Sequence, residues 1–362
     1  MIQQQVVHTE GIKYAGSKLK LLPYIIELLA DLKDVRTMLD GFSGTTRVAQ
    51  AFARLGYTTT ANDISCWSEV LATCYLKADK PDAYYRGLID HLNGLKGYDG
   101  WFTEHYGGVP ESMEVKRPFQ VKNTRRLDAI RDEIDRLELD AVDKSVALTS
   151  LIRALDVVDN TLGHYAAYLS GWSGRSHKEL ELKVPAFVAH DKQHRVCRGD
   201  VFDTIRDSSF DFAYFDPPYG SNNAKMPPSR IRYNAYYHLW KTVILNDRPT
   251  LFGKAMRRDD SRDSAGGSVF EDYRTDSDGM PVAHNALKRL LSETDARYIL
   301  LSYSSGGKVL KDDILSLIAG SGHLLRAVEV DHKRNVMSGM TRTNKWTKRE
   351  PRHREYLFLM QK

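Results

Sequence analysis

Cysteine is scarce in this chain. It occurs three times in 362 residues (Cys66, Cys74 and Cys197), with no C-x-x-C pair and no histidine cluster beside it. That spacing supports neither a disulfide framework nor a zinc site, so free thiols in a reducing compartment and no metal are expected. Long apolar runs are missing too. Stretches such as Tyr298-Ile299-Leu300-Leu301 fall far short of the roughly 20 residues that cross a bilayer. Met1 to Glu10 lacks the basic-then-apolar pattern of a secretory signal, so a cytoplasmic protein without a membrane partner is expected. Gly-x-Gly-x-x-Gly is absent, which disfavours a dehydrogenase. No Pro-Cys nucleophile occurs, and none of the 12 histidines has a partner pattern that suggests catalysis.

What is present suits a globular enzyme. Hydrophobic residues make up 42% and charged residues 27%, enough to bury a core. Fifty-two Lys and Arg against 47 Asp and Glu give a net charge of +5, a mild excess whose placement matters more than its size.

The periodicity divides the chain. Lys20 to Leu32 reads as a helix with Pro23 in its first turn. Val35 to Leu39 reads as a strand ending at Asp40 and the turn Gly41-Phe42-Ser43-Gly44-Thr45-Thr46. A helix closed by Gly56 follows, then a strand from Tyr57 that delivers Asn62-Asp63. From about Trp67 to Lys183 helical patterns dominate. Strand–helix alternation returns with Val196 to Asp200, Phe210 to Phe215, Arg297 to Tyr303, a helix from Leu310 to Gly320, Leu324 to Val330 and Glu355 to Met360. The expected fold is α/β with a seven-stranded, mostly parallel, Rossmann-like sheet. Residues 1–66 and 191–362 would form it, and 67–190 would be a helical insert.

The sharpest chemical signal is Asp216-Pro217-Pro218-Tyr219 after the apolar strand Phe210–Phe215. Two prolines cannot continue a sheet ladder, so the chain leaves the sheet there. In open α/β sheets ligands sit outside the carboxyl ends of the strands. An exocyclic amine is a poor nucleophile because its lone pair is delocalised into the ring. The Asp216 carboxylate and the Pro217 carbonyl would accept its two hydrogens, and Tyr219 would stack on the base. A base in a duplex reaches such a pocket only when flipped out. The Asp40–Thr46 turn, followed by Asp63, fits a nucleotide-type cofactor, with Gly44 allowing close backbone approach and Asp63 binding ribose hydroxyls.

Together, Lys13-Tyr14-Ala15-Gly16-Ser17-Lys18, Phe42-Ser43-Gly44, Asn62-Asp63, Gly199-Asp200 and Asp216-Pro217-Pro218-Tyr219 resemble the Dam-type (alpha-group) adenine-specific DNA methyltransferases, and in the same order. The resemblance implies an S-adenosylmethionine-dependent methyltransferase that modifies N6 of a flipped adenine in double-stranded DNA. A restriction–modification system is the expected setting, with a cognate endonuclease acting separately. It implies catalysis by Asp216, Pro217, Pro218 and Tyr219. It implies cofactor binding by Tyr14, Ala15, Gly16, Lys18, Asp40, Phe42, Ser43, Gly44, Thr45, Asp63, Asp200 and Asp216. The family usually has tryptophan at Tyr14, often glycine at Thr46 and often proline at Gly41, which bears on the loop shape. Leu301 to Gly307 resembles a later motif that walls the base pocket.

DNA contacts are expected from Lys116, Arg117, Lys122, Asn123, Arg125 and Arg126, with Arg175 and Lys178, in the insert. Further contacts are expected from Lys225, Arg230, Arg232 and Tyr233, in a loop that also holds Asn222 and Asn223. Lys333, Arg334, Arg342, Lys345, Lys348, Arg349, Arg352 and Arg354 form a second basic cluster. Two other readings remain open: methylation of a cytosine or RNA amine, and an inactive methyltransferase fold that binds DNA.

Overall fold

The computed structural model describes residues 7–110, 117–188, 192–206, 208–220, 233–262, 267–272, 274–333 and 352–362. Seven strands form the main sheet: β1 (Thr37–Asp40), β2 (Thr58–Asp63), β3 (Arg195–Arg198), β4 (Ser209–Phe215), β5 (Asp295–Ser304), β6 (His323–Lys333) and β7 (Arg352–Gln361). Their order is β6-β7-β5-β4-β1-β2-β3. The pairs β1/β4, β4/β5 and β2/β3 are parallel, and β7 runs antiparallel to both β5 and β6. The expected mostly parallel α/β sheet of seven strands is therefore present. After β1 the chain goes out to β2 and β3, then returns with β4 on the other side of β1. That reversal makes β1/β4 a topological switch point, the place where ligands bind in such sheets.

The chain divides into two compact units. The second comprises residues 23–42, 201–230 and 267–362. Its core gathers Leu39, Ala213, Phe215, Ile299, Leu301, Phe358 and Met360 with Leu287, Leu290 and Leu291 of the helix Val282–Glu293 and Ile314 and Ile318 of the helix Lys311–Ala319. Central β4 alternates little, being buried on both faces from Phe212 to Phe215, as parallel strands covered by helices are.

The first unit comprises residues 1–22, 43–200 and 231–266. It is mostly helical, with the helices Cys66–Lys77, Asp82–Asn93, Trp101–Tyr106, Val121–Arg136, Ala141–Val158 and His238–Leu245. Trp67, Leu71, Tyr75, Leu127, Ile130, Leu151, Leu155, Tyr237 and Trp240 share its largest apolar core. Side chains close the open helix ends. Asp140 accepts from Val142 N and Asp143 N (3.0 and 2.8 Å) as an N-cap. Asp128 accepts from Gly100 N, Phe102 N and Thr103 N at the start of Trp101–Tyr106 (3.1, 2.8 and 2.9 Å).

Candidate active site

The first unit carries the turn that follows β1. Gly44 has φ +50°, a left-handed conformation that suits glycine. A Cβ there would lie 3.1 Å from Cε1 of Tyr14. Gly44 N donates to Asp63 Oδ2 at 2.8 Å, while Asp63 Oδ1 accepts from Ser65 N (2.9 Å) and Ser65 Oγ (2.7 Å). The carboxylate at the tip of β2 thus ties the glycine turn to the start of the next helix. Burial pushes the Asp63 carboxyl up, opposed by the hydrogen bonds from Ser65, Gly44 and Ile64. Ser43 N bonds Asn62 O at 2.9 Å, and Thr46, at φ +63°, accepts Gln50 Nε2 on its hydroxyl at 3.0 Å. Thr46 is thus a β-branched residue held left-handed, at the position where the resembled family often has glycine.

Tyr14 enters a ladder of rings. It stacks on Tyr237 (4.6 Å, 18°) and Tyr233 (5.3 Å, 30°), and Tyr237 stacks on Trp240 (4.4 Å, 5°). Ala15 N donates to Tyr237 Oη at 2.6 Å. Burial holds the Tyr14 phenol well above its usual value, with Tyr233 and Asp63 adding to the shift. Lys18 is buried in a short 3-10 turn, Thr45 is buried, Gly16 is exposed at φ +84°, and Asp200 is exposed after β3. The expected cofactor residues of this unit thus include a connected set (Tyr14, Ala15, Gly44, Asp63), whereas Asp200 lies at the surface.

The second unit carries Asp40, Phe42 and the tetrapeptide. Asp40 is buried at the end of β1, opposite Tyr214 in the β4 register. Gly41 N donates to Tyr214 O at 3.0 Å, a bond proline cannot make, and a Cβ on Gly41 would lie 2.6 Å from the Phe215 ring. Phe42 meets Phe270 edge-on at 5.3 Å. Asp216 follows β4 directly. The Tyr219 hydroxyl donates to Asp216 Oδ1 and lies 3.3 Å from Ser302 Oγ and 3.4 Å from Glu355 Oε2. Tyr219 O accepts from Lys308 N at 2.7 Å, and its ring sits 4.8 Å from that of Tyr303. Burial pushes the Tyr219 phenol well up, with the negative charges of Asp216 and Glu355 reinforcing it. In this arrangement the ring is packed on Tyr303 and its hydroxyl faces the Asp216 carboxylate.

Several of the described residues expected to touch DNA have internal partners. Lys122 Nζ donates to His177 O (2.7 Å) and Glu179 (2.5 Å), and Arg125 pairs with Asp99 (2.6 Å). Arg126 bonds Leu180 O and Asn93 O (3.0 and 3.1 Å). Asn123 is buried, donating to Lys178 O and accepting from Leu180 N, both at 2.9 Å. Arg175 pairs with the buried Asp159 at 2.9 Å. Arg354 pairs with Glu329 at 3.1 Å. Tyr233 packs on Tyr14, Arg117 is half-buried, and Lys178 is exposed. Lys116, Asn222, Asn223, Lys225, Arg230, Arg232, Arg334, Arg342, Lys345, Lys348 and Arg349 lie outside the described residues, as does the side chain of Arg352.

Two site residues escape sequence reasoning. Glu355 faces Tyr219 from β7, and its only signal is one charge opening the apolar run Tyr356 to Met360. The Tyr237 hydroxyl accepts from Ala15 N, a role that chain distance conceals.

Comparison with known proteins identifies the family. Residues 14–278 match the profile described as D12 class N6 adenine-specific DNA methyltransferase. The modification methylase StsI of Streptococcus sanguinis is 27% identical over 323 residues, 85% of this chain and 46% of that protein. The type II methyltransferase M.NlaIII of Neisseria lactamica is 29% identical over 305 residues, 82% and 84% of the two chains. The type II methyltransferase M.FokI of Planomicrobium okeanokoites is 25% identical over 327 residues, 86% of this chain and 47% of that protein. The chain thus spans about half the length of the StsI and FokI proteins and most of M.NlaIII. With nearly three quarters of its residues inside the matched profile, the chain belongs to the D12 class N6 adenine-specific DNA methyltransferase family.

Proposed function

We propose that this chain is a site-specific DNA methyltransferase that transfers a methyl group from S-adenosylmethionine to N6 of an adenine flipped out of duplex DNA. The observation that carries the reading is Asp216-Pro217-Pro218-Tyr219, leaving the carboxyl end of β4 beside the switch point with β1. The Asp216 carboxylate and Pro217 carbonyl accept the two hydrogens of the amine and leave its lone pair directed at the methyl donor. Pro218 fixes the turn, and Tyr219 lines the base pocket. Positioning supplies most of the acceleration.

The residues fit the cofactor. The Gly44 turn has no side chain where a Cβ would press on Tyr14, and Asp63 is held as an acceptor with lone pairs to spare for ribose hydroxyls. When bound, S-adenosylmethionine supplies an electrophilic methyl group. Tyr14, Ala15, Gly16, Lys18, Ser43, Gly44, Thr45 and Asp63 would hold it, and Asp200 would sit by its adenine.

The order of these segments supports the Dam-type (alpha-group) arrangement, with residues 67–190 as target-recognition insert and 1–66 and 191–362 as catalytic domain. Relatives named as modification and type II methyltransferases support a restriction–modification role, with a cognate endonuclease as separate companion.

The test is transfer of labelled methyl groups to unmethylated duplex DNA, followed by hydrolysis to nucleosides. N6-methyl-2′-deoxyadenosine is the expected product. Asp216→Ala lowers the rate at least about a hundredfold while S-adenosylmethionine affinity stays within about twofold. A wild-type rate in purified Asp216→Ala protein would remove the assignment.

A further inference from the structure

A phenol carries one proton, and three oxygens compete for that of Tyr219. Asp216 Oδ1 receives it, while Ser302 Oγ and Glu355 Oε2 stand 3.3 and 3.4 Å from the same hydroxyl. The sheet places both alternatives on one side. Leu357 of β7 pairs with Ser302 of β5, and Glu355, two residues earlier, points to the same face. The backbone of Tyr219 is fixed by Lys308 N on its carbonyl (2.7 Å), so the hydroxyl can change acceptor without the turn moving. The charged groups facing it are Asp216 and Glu355, with the buried phenol of Tyr214 behind them.

An incoming amine would share the Asp216 carboxylate with the phenol, whose hydrogen bond to Oδ1 draws on the same negative charge. On the reading proposed above, Asp216 accepts a hydrogen of N6 more strongly once the phenol has moved off Oδ1. We propose that Glu355 is a positioning residue for methyl transfer: with Ser302 it takes over the Tyr219 hydroxyl when the target amine claims Asp216. Tyr219 then keeps the Asp216 carboxylate satisfied while no base is present and yields it on base entry. No covalent bond changes, since one O–H···O hydrogen bond is exchanged for another. Glu355 is the stronger of the two new acceptors, because hydrogen bonds to an ionised group exceed those to a hydroxyl.

The experiment is a double-mutant cycle on the full chain, comparing wild type, Glu355→Gln, Tyr219→Phe and the double variant. It reads kcat and KM for unmethylated duplex DNA, with thermal melting to check the fold of each protein. Glu355→Gln is expected to lower kcat/KM for DNA about tenfold with S-adenosylmethionine affinity unchanged. In the Tyr219→Phe background the same substitution should change kcat/KM less than twofold, because the hydroxyl that Glu355 receives is gone. If Tyr219→Phe is inactive, the cycle is read in DNA affinity of the complexes with S-adenosylhomocysteine, with the same expected coupling. A purely structural Glu355 would give equal losses in both backgrounds, and additivity or a wild-type Glu355→Gln overturns the proposal. Wild-type protein that methylates no DNA would instead sink the functional reading, so the two failures are distinguishable.

Discussion

At the scale of single residues, the site is defined as much by an absent side chain as by those present. Gly44 adopts a left-handed φ of +50° and faces the Tyr14 ring. An alanine there meets two penalties: a left-handed backbone, about 1–2 kcal/mol for a residue with a Cβ, and a contact 3.1 Å from Tyr14 Cε1. Gly44→Ala is therefore expected to weaken S-adenosylmethionine binding about tenfold or more, since 1.4 kcal/mol is a factor of ten. Isothermal calorimetry measures this directly, and unchanged affinity would mean that the Gly44 turn does not meet the cofactor. Thr46 pays a similar backbone cost natively at φ +63° and is fully buried. Such strain persists only where the surroundings enforce it, and here the Gln50 amide holds the hydroxyl.

Among the elements, the helix Val121–Arg136 explains where polar residues of the insert go. Its Asn123 side chain behaves like a strand neighbour to the passing segment, bonding Lys178 O and Leu180 N at 2.9 Å each. Asn123→Ala leaves the part-buried Lys178 carbonyl and the buried Leu180 amide without these partners, at roughly 1–3 kcal/mol each. Urea unfolding should show a loss of about 2–4 kcal/mol, and a loss below about 1 kcal/mol would mean that water replaces the amide. The same helix marks the limit of what periodicity reveals. The strands β1, β4 and β5 and the turn after β1 are legible because apolar runs end near Gly, Asp or Pro, and β2 because a β-branched run ends in Asn62-Asp63. The sequence marks Lys116 to Arg126 as a run of DNA-contacting residues, whereas Val121–Arg136 is one helix. Arg131, Asp128, Asn123 and Thr124 all face inward, so its buried stripe looks polar. Arg131 is 1% exposed because its guanidinium donates to Val243 O and Ile244 O, the carbonyl end of the helix His238–Leu245. That partner lies more than a hundred residues away, and no local pattern announces it. Glu355 escapes notice for the same reason: its meaning comes from the pairing of β7 with β5.

For the whole molecule, the pH dependence of stability separates two populations of carboxylates. Glu133 is held down to about 2 by hydrogen bonds from Arg136 and His91. Asp135 also falls to about 2, because bonds from Lys144, Arg131 and Asn246 outweigh its burial. Their contribution is present above the unfolded values near 4 and is lost as pH falls through the folded ones. Asp156 behaves oppositely. Burial raises it to about 6, although the charge of Lys13 and the Lys13 amide bond at 3.1 Å pull the other way. With an unfolded value near 3.9, the native state binds the extra proton between about pH 4 and pH 6. The stability associated with that proton is complete below pH 4 and is lost as pH rises through 6, an effect of at most about 2–3 kcal/mol. Asp156→Asn keeps an acceptor for the Lys13 amide and has no charge to desolvate. Chemical denaturation of both proteins at a series of pH values should therefore give curves that diverge between pH 4 and 6 and run parallel above 7, with the variant the more stable at pH 8. Parallel curves across pH 4 to 6 would place the Asp156 titration elsewhere. Divergence confined to below pH 4 would instead assign Asp156 to the population of Glu133 and Asp135, held ionised by its cation rather than neutral by its burial.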